Sequence, residues 1–194
     1  LEYWKNNYPT LQSLFPEKLK DIDYIKFYKA TNNVKPSLIR TNADELTYHL
    51  HVLIRYEIEK GLIEGSIKVN DLPSIWNKKY LDYLGIKVPN DSSGVLQDIH
   101  WSHGSFGYFP TYTIGSFYAA QFFNKASLDI KDIDNKIRNG DTTELLDWLR
   151  NNIHKHGEKY DAKDLCKRIT GEELNFKYFM EYVTKKYSDI YNLI

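Results

Sequence analysis

Residues 41–60, Thr-Asn-Ala-Asp-Glu-Leu-Thr-Tyr-His-Leu-His-Val-Leu-Ile-Arg-Tyr-Glu-Ile-Glu-Lys, contain the strongest helical pattern in the chain. Residues 41–44 have the form of a capping box, with Asn42 and Glu45 as the overlapping choice. Apolar side chains recur at helical spacing, and they are Leu46, Leu50, Leu53 and Ile54. Gly61 suits the end of a helix. The stretch therefore predicts one amphipathic helix over 41–60.

Most of the remaining chain also has helical patterns. Helices are predicted from Pro16 to the Asn32-Asn33 pair, from Asp71 to Gly85, from Pro110 through Phe123, over 144–154 behind the Thr142/Thr143 caps, and over 161–169 and 171–191. The helix that Pro110 begins is apolar nearly all round and is expected to be buried. Residues 62–70 alternate enough to predict a short strand. These patterns indicate an all-α protein with at most a small β element.

Composition excludes several classes of protein. The chain has 26 basic and 26 acidic residues and no basic run, so a nucleic-acid-binding surface is unsupported. Its apolar stretches are far shorter than the ~20 residues of a membrane span. The single Cys166 excludes an internal disulfide and is compatible with a cytoplasmic location. No repeat or linker divides residues 1–194, which predicts a single helical unit, and Leu1 suits an excised or processed piece.

Residues 94–112, Gly-Val-Leu-Gln-Asp-Ile-His-Trp-Ser-His-Gly-Ser-Phe-Gly-Tyr-Phe-Pro-Thr-Tyr, concentrate acid/base groups beside glycines and aromatic rings. Glycine lets a backbone approach a ligand closely, and titratable groups with shifted pKa values cluster at functional sites. Asp98 is placed to orient the imidazole of His100, with His103 nearby. Tyr108 and Tyr112 either pack or point their hydroxyls into a pocket. The segment predicts a polar site on a loop.

The helix at 41–60 carries a second polar pattern. Asp44, Tyr48, His51 and Arg55 fall on one helical face, where they either line a cleft or are a capping Asp44 followed by solvated side chains. Spacing alone favours the second interpretation. His49 and His51 point to different sides of a helix, so they are a weak metal pair.

Several blocks, in order along the chain, resemble the carboxypeptidase Taq (thermostable carboxypeptidase 1) family of zinc metallocarboxypeptidases. Gly94 to Trp101 matches the family's Gly-x-x-Gln-Asp-x-His-Trp motif. The other blocks are 34–48 with His51 and 55–59, Asp71-Leu72-Pro73 with Trp76-Asn77, the continuation of the loop to Gln121, and 182–187. Residues 1–4 resemble the stretch shortly after the family's third zinc ligand, a Glu. The family's His-Glu-x-x-His zinc motif does not occur in these 194 residues.

The resemblance implies the C-terminal part of a larger, mainly helical, zincin-like catalytic domain. The family removes single residues from peptide C-termini, so the expected partners are peptides with a free carboxylate, and a homodimer is compatible with the resemblance. Two His and a Glu hold the zinc, and all are expected upstream of Leu1. The fragment alone is expected to hold no zinc and to be inactive.

The resemblance also implies roles for residues of this chain. Arg40 is the first choice and Arg55 the second for binding the substrate carboxylate, because a guanidinium donates two parallel hydrogen bonds. His100 and Tyr112 are expected to donate to the oxyanion, and Asp44 to hydrogen-bond an upstream zinc ligand. The remaining substrate-side residues are Gln97, Asp98 and Tyr108.

Two rival functions are compatible with the sequence. One is a non-catalytic helical module that binds peptides or a protein through the aromatic cleft. The other is a metal hydrolase that uses Asp98 with some of four histidines, namely His49, His51, His100 and His103, although their spacing disfavours it.

Overall fold

A computed structural model describes residues 1–193, which contain ten α-helices, four short 3₁₀ helices and no β-strand. The α-helices are α1 (Glu2–Leu14), α2 (Pro16–Leu19), α3 (Tyr24–Thr31), α4 (Tyr48–Ile63), α5 (Leu72–Leu84), α6 (Phe109–Asp129), α7 (Ile133–Arg138), α8 (Thr143–Asn152), α9 (Ala162–Thr170) and α10 (Lys177–Tyr191). The 3₁₀ helices are Arg40–Asn42, Val69–Asp71, Trp101–His103 and His154–His156. The all-α prediction is confirmed. None of these helices has the length and apolar composition that crossing a bilayer requires.

The chain divides into two compact units. One unit is Asn32–Gly115, and the other is Leu1–Thr31 together with the chain from Ser116 onward. One boundary follows the last residue of α3, and the other falls within α6. The sequence prediction of a single helical unit over residues 1–194 stays a prediction.

The unit Asn32–Gly115 is built on α4 and α5. Its core consists of Ile54, Ile58, Trp76, Tyr80, Leu84 and Val95. Ile54 and Ile58 lie one turn apart on α4, so they project from the same face. α5 begins after Asp71 and ends at Gly85, which adopts the left-handed conformation (φ 69°) that glycine accepts without strain. The predicted bounds of this helix are thus confirmed.

The other unit has its own core. α1 packs against α3 and α7. A second apolar cluster contains Ala126, Ile130, Ile133 and Trp148. α10 buries one face, which consists of Phe179, Val183, Tyr187 and Ile190. Side chains recurring every three or four residues explain why this segment is a helix with one buried stripe.

α4 begins later than the sequence predicts. Residues 40–42 form a 3₁₀ turn, and the α-helix starts only at Tyr48. Asp44 caps the intervening turn, because its Oδ1 accepts the backbone N–H groups of Leu46 and Thr47 at 2.9 and 3.0 Å. The capping box at 41–44 therefore has Asp44, and not Thr41, as its cap. The helix also passes Gly61 and ends at Ile63.

The strand predicted at 62–70 is wrong. Residues 62 and 63 complete α4, Gly65 turns the chain with φ 75°, and Val69–Asp71 is a 3₁₀ helix. The N–H of Ile67 donates to the carbonyl of Gly61 at 3.0 Å, and its side chain lies where a Cβ on Gly61 would be. The alternation of apolar residues thus reflects a turn that folds Ile67 back onto the helix.

Four other predictions need correction. The helix predicted after Pro16 is two helices, because Asp23 Oδ1 accepts the N–H of Lys26 and caps a separate α3. α6 continues to Asp129, and its apolar surface is only partly covered, with Ile114, Phe123 and Leu128 exposed. α8 is preceded by Asp141, whose Oδ1 accepts the N–H of Thr143, and Thr142 makes no capping hydrogen bond. α10 starts at Lys177, six residues after the start predicted at 171. The structure also contains α1 and α7, which the sequence patterns did not predict.

Candidate functional site

Two arginines share one carboxylate within the unit Asn32–Gly115. Arg40 donates from Nε and Nη2 to Asp98 Oδ1 at 3.1 and 2.8 Å, and Arg55 donates from Nε to Asp98 Oδ2 at 2.7 Å. The side chains of Arg40, Arg55 and Asp98 are 8%, 0% and 12% exposed. Two positive charges and one negative charge leave a net positive charge at a site that is largely shielded from solvent. A further anionic group is therefore favoured beside this cluster.

Aromatic rings surround the two guanidinium groups. The Cζ atom of Arg40 lies 5.1 Å from the ring centre of Tyr112 and 5.5 Å from that of Phe109. The Cζ atom of Arg55 lies 4.6 Å from the ring centre of Trp76 and 5.3 Å from that of Phe109. The faces of aromatic rings attract cations, so these rings help to retain the buried charge.

Arg55 has acceptors for all of its hydrogen-bond donors. Besides Asp98, its Nη1 donates to the carbonyl of His51 at 2.8 Å and its Nη2 donates to Gln97 Oε1 at 2.8 Å. Both Nη atoms also lie 3.4 Å from the hydroxyl of Tyr80. A guanidinium has five N–H groups, and here every one faces an acceptor of the protein. Arg55 is therefore held as an internal support.

Arg40 is less completely occupied. Its Nη1 donates to the hydroxyl of Tyr48 at 2.9 Å, and its other two hydrogen bonds go to Asp98. Three of the five N–H groups of the guanidinium thus have acceptors within residues 1–193. The two others lie on Nη1 and Nη2, which is the pair of atoms that binds a carboxylate bidentately.

Gln97 connects the arginines to two backbone segments. Its Oε1 accepts the backbone N–H of Arg40 at 2.9 Å in addition to Arg55 Nη2. Its Nε2 donates to the carbonyls of Leu38 and Ser93 at 3.1 and 2.9 Å. All of these contacts are internal to the protein, so Gln97 fixes the position of residues 38–40 relative to the loop at 93–98.

Asp98 stays ionised because of the two arginines. Desolvation raises the pKa of its carboxyl, but the hydrogen bonds and charges of Arg40 and Arg55 outweigh that effect and hold the pKa below its ordinary value. Desolvation lowers the pKa of Arg40, but the hydrogen bonds and charges of Asp98 and Tyr48 outweigh it, so this pKa lies above its ordinary value. The cluster keeps its charges at neutral pH.

His100 and Tyr112 form a hydrogen-bonded pair, with His100 Nε2 at 3.0 Å from the Tyr112 hydroxyl. The Nδ1 atom of His100 is buried without a hydrogen-bond partner among residues 1–193, and it lies 4.0 Å from Asp98 Oδ1. The geometry therefore does not include a direct Asp98–His100 hydrogen bond. Desolvation lowers the pKa of His100, and Arg40 and His103 lower it further against the opposing charge of Asp98, so the imidazole is neutral at pH 7.

Tyr108 lies at the exposed edge of this pair. Tyr108 is 50% exposed, and its ring makes an edge contact with that of Tyr112, at 5.3 Å between ring centres. Gly107, just before it, has φ 80°, a conformation that favours glycine. The backbone turn at Gly107 therefore presents Tyr108 towards solvent.

Asp44 uses its oxygens within its own turn and on the segment that precedes it. Besides the two N–H groups that Oδ1 caps, Oδ2 accepts the hydroxyl of Thr47 at 2.6 Å and the backbone N–H of Lys35 at 3.1 Å. These contacts match the local capping interpretation of Asp44. They do not require any partner outside the chain.

His51 is buried completely, with its Nδ1 at 3.0 Å from the Tyr80 hydroxyl. Desolvation lowers its pKa to about 4, and the charges of Arg55 and Arg40 act in the same direction. The expectation that the polar face of α4 is solvated is thus wrong for His51 and Arg55. Its neighbour His49 contacts a different partner, Thr113, so the two imidazoles do not converge.

Residues 1–193 contain no group of three His, Cys, Asp or Glu side chains arranged to hold a metal ion. A zinc site needs at least three protein ligands. The side chains of this part of the chain therefore do not fit a zinc ion by themselves.

The structure adds three residues that the sequence did not single out for this site. Tyr80 contacts both His51 and Arg55, Trp76 lies under the Arg55 guanidinium, and Glu59 accepts hydrogen bonds from the loop that follows His100. Glu59 lies one turn after Arg55 on α4, as Arg55 lies one turn after His51. A run of three polar side chains at i, i+4 and i+8 among Val52, Ile54 and Ile58 was the available signal.

The chain matches known proteins along almost its full length. Residues 1–187 match the family model described as carboxypeptidase Taq (M32) metallopeptidase. The chain is 46% identical to carboxypeptidase 1 of Bacillus subtilis over 191 residues, which are 98% of this chain and 38% of that protein. It is 42% identical to thermostable carboxypeptidase 1 of Thermus thermophilus over 191 residues, which are 98% of this chain and 37% of that protein.

A solved structure agrees with these sequence matches. The crystal structure of the M32 carboxypeptidase from Deinococcus radiodurans superposes with a TM-score of 0.95 at 36% identity, over 98% of this chain and 39% of that one. The chain therefore belongs to the carboxypeptidase Taq (M32) family of metallopeptidases, as its sequence motifs predict. It spans about two-fifths of the length of the relatives that it matches.

Proposed function

We propose that this chain supplies the substrate-binding side of the cleft in a zinc metallocarboxypeptidase that removes single residues from peptide C-termini. The observation that carries the proposal is the positive surplus of the Arg40–Asp98–Arg55 cluster, which suits the free carboxylate of a peptide terminus. Membership of a metallopeptidase family supports the reaction class. The zinc and its His-Glu-x-x-His ligands belong, in this proposal, to a part of the protein outside this chain.

Within this function, Arg40 contacts the substrate carboxylate and Arg55 does not. The support is the difference in donor use, since Arg40 retains N–H groups on Nη1 and Nη2 whereas those of Arg55 face internal acceptors. Asp98 and Gln97 then act on the substrate through Arg40, because they fix the angle of its guanidinium and the position of its backbone. This division keeps the first choice from the sequence and gives Arg55 a supporting role.

His100 and Tyr112 act in this proposal as a chain of donors towards the developing oxyanion. In this proposal the neutral imidazole donates from Nε2 to the Tyr112 oxygen, and the Tyr112 O–H donates to the oxyanion as charge develops there. Tyr108 lies beside this pair, where it contacts the substrate residue next to the scissile bond. The supporting role of Asp44 towards a zinc ligand rests on the family resemblance alone, because its two oxygens already accept four hydrogen bonds within the chain.

The test is a complete enzyme containing this chain, made either from the longer natural protein or as a chimera. In the chimera, the chain replaces the 191 residues that it matches in Bacillus subtilis carboxypeptidase 1. Arg40→Ala is expected to reduce kcat/KM on free-acid peptides by about 2–4 kcal/mol of transition-state binding, because a charge-assisted pair is lost in a dry cleft. Amidated peptides are the substrate control.

Arg150→Ala is the matched control variant, because Arg150 is exposed on α8 and pairs with nearby Asp147. It is expected to leave kcat/KM unchanged. If free-acid cleavage survives in Arg40→Ala but collapses in a folded Arg55→Ala, the carboxylate contact belongs to Arg55. If the complete enzyme hydrolyses no peptide with zinc present, the proposed activity is wrong.

The alternative is a non-catalytic helical module that binds peptides. Exposed rings beside the arginine cluster favour it, since Phe106 and Tyr108 are 46% and 50% exposed. Free-acid peptides that bind the complete protein without being cleaved, at saturating zinc, support this alternative. A homodimer and a cytoplasmic location stay predictions, and light scattering of the complete protein tests the first of them.

A further inference from the structure

Glu59 is a buried carboxylate whose contacts are with a loop. It lies on α4, one turn after Arg55, and it is only 4% exposed. Its Oε1 accepts the indole N–H of Trp101 at 2.8 Å, and its Oε2 accepts the backbone N–H of Gly107 at 3.1 Å. None of the ion pairs found within residues 1–193 includes Glu59. Burying such a group is costly, so its hydrogen bonds to the loop need an explanation.

The two contacts of Glu59 lie at the two ends of the segment 101–107. Trp101 directly follows His100, and Gly107 comes five residues before Tyr112. Between these ends, Gly104 has φ 82°, and Gly107 itself has φ 80°. Within the segment, Trp101–His103 forms a 3₁₀ helix and the N–H of Ser105 donates to the carbonyl of His100 at 2.9 Å, but these local hydrogen bonds do not tie the segment to α4. One carboxylate thus fixes the ends of the segment that joins His100 to the start of α6.

Ring packing alone does not set the orientation of this loop. The Trp101 ring makes an edge contact with Trp76 at 6.0 Å and stacks on Phe106 at 6.2 Å. Such contacts are favourable over a range of offsets and rotations. A hydrogen bond to a carboxylate is short and directional, so it selects one edge of the indole. The carboxylate therefore adds an orientation that the aromatic cluster lacks.

We propose that Glu59 is a positioning residue, which holds both ends of the segment 101–107 so that His100 Nε2 meets the Tyr112 hydroxyl beside Arg40. The hydrogen bonds of Glu59 go to Trp101 and Gly107, so it acts on His100 and Tyr112 through the loop. Its effect on catalysis rests on the proposed function above. Its effect on the placement of His100 does not depend on any activity.

The first experiment compares two Glu→Gln variants of the complete enzyme on the same helix. In Glu59→Gln, one of the two loop N–H groups faces an NH₂ group and loses its acceptor. Glu57→Gln is the matched control, because Glu57 contacts Lys79 and Tyr83 and no residue of the loop. Glu59→Gln is expected to lower kcat roughly 10- to 100-fold through misplacement of the donor pair, with little change in KM. Glu57→Gln is expected to keep the wild-type kcat.

A second pair of variants separates positioning from loss of folding. Trp101→Phe removes the same hydrogen bond from the loop side and keeps a ring in the aromatic cluster. In the double variant Glu59→Gln/Trp101→Phe, the Gln carbonyl is free to accept the Gly107 N–H and its NH₂ no longer opposes an indole N–H. The two losses in kcat are therefore expected not to multiply. Losses that multiply in folded variants contradict the proposal. If Glu59→Gln does not fold, a wild-type kcat in Trp101→Phe overturns it.

The third measurement needs no enzyme activity. The complete protein is labelled at the histidine Cε1 carbon, and the NMR signal of His100 is assigned from its loss in His100→Gln. Burial lowers the pKa of His100 in the wild type, among the charges of Asp98, Arg40, Arg55 and His103. Release of the loop in Glu59→Gln exposes the ring to water and is expected to raise this pKa towards its ordinary value. Glu57→Gln is expected to titrate as the wild type.

The NMR result and the kinetic result distinguish two kinds of failure. A raised His100 pKa in Glu59→Gln, together with a wild-type enzyme that cleaves no peptide, contradicts the proposed function and supports the positioning role. A folded Glu59→Gln with wild-type His100 titration and wild-type kcat refutes the positioning role.

Discussion

The completely buried His51 is expected to make the stability of the chain depend on pH. Its folded-state pKa is lowered from 6.5 to about 4, first by desolvation and then by the charges of Arg55 and Arg40. Because the folded pKa lies below the unfolded one, the unfolded state binds more protons between these values. The stability contributed by neutral His51 is therefore fully present above pH 6.5 and is lost as the pH falls towards 4.

The magnitude follows from the two pKa values. The pKa of His51 is 6.5 in the unfolded state and about 4 in the folded state. Proton binding to the unfolded state therefore lowers the free energy of unfolding by roughly 2 kcal/mol when the pH falls from 7 to 5. Asp98 and Asp44 face His51 with the opposite charge and already reduce the shift. His49 and His100 also have lowered pKa values, so they add pH dependence of the same sign.

The assay is urea unfolding of the chain at a series of pH values from 7 to 5, with tryptophan fluorescence as the signal. In His51→Gln the titrating ring is gone, so the fall in unfolding free energy over this range is expected to be smaller by roughly 2 kcal/mol. The starting stability of this variant differs from that of the wild type, and only the dependence on pH is compared. His154→Gln, at an exposed position, is the control for the substitution and is expected to keep the wild-type dependence.

A direct titration of the His51 NMR signal provides the second measurement. A folded-state pKa near 6.5, or a His51→Gln variant with the same pH dependence as the wild type, refutes the reasoning. Either result means that water or a local rearrangement reaches the buried ring without global unfolding.

Three further predictions concern the site. In the complete enzyme, Tyr112→Phe is expected to lower kcat about 10²- to 10³-fold with little change in KM, because the proposed oxyanion donor is lost while the ring stays. Full activity in this variant returns Tyr112 to a packing role and makes Tyr108 the next phenol to test. The isolated chain is expected to retain no stoichiometric zinc after dialysis, and elemental analysis that finds one zinc per chain contradicts this and favours a histidine site. Asp98→Asn leaves Arg40 and Arg55 buried without a counter-charge and is expected to lower the free energy of unfolding by about 3–5 kcal/mol. Urea unfolding measures this loss, with Asp147→Asn at an exposed position as the control. A loss below about 1 kcal/mol contradicts the role of Asp98 as the counter-charge of both arginines.

Local patterns in the sequence determined the helical class and many helix ends. Asp71, Pro73 and Gly85 predicted the bounds of α5, because a proline in the first turn and a left-handed glycine after the last turn act within a few residues of the helix end. Asp71 itself makes no capping hydrogen bond through its side chain. The start of α4 was less predictable, since Thr41, Asn42 and Asp44 are all competent caps and only the folded turn selects Asp44. The alternation at 62–70 failed as a strand signal because Ile67 packs back onto Gly61 of the preceding helix.

The family motifs predicted one site that contains Arg40, Asp98, His100 and Tyr112, and in the structure these residues lie in one cluster. Their pairing was decided only by the tertiary structure. Asp98 lies 58 residues from Arg40 and 43 from Arg55 along the chain, and its oxygens accept hydrogen bonds from both arginines rather than from the nearby His100. Two buried guanidinium groups attract a carboxylate more strongly than a neutral imidazole does. Only the folded chain shows that both arginines are buried beside it, because burial depends on residues distant in sequence.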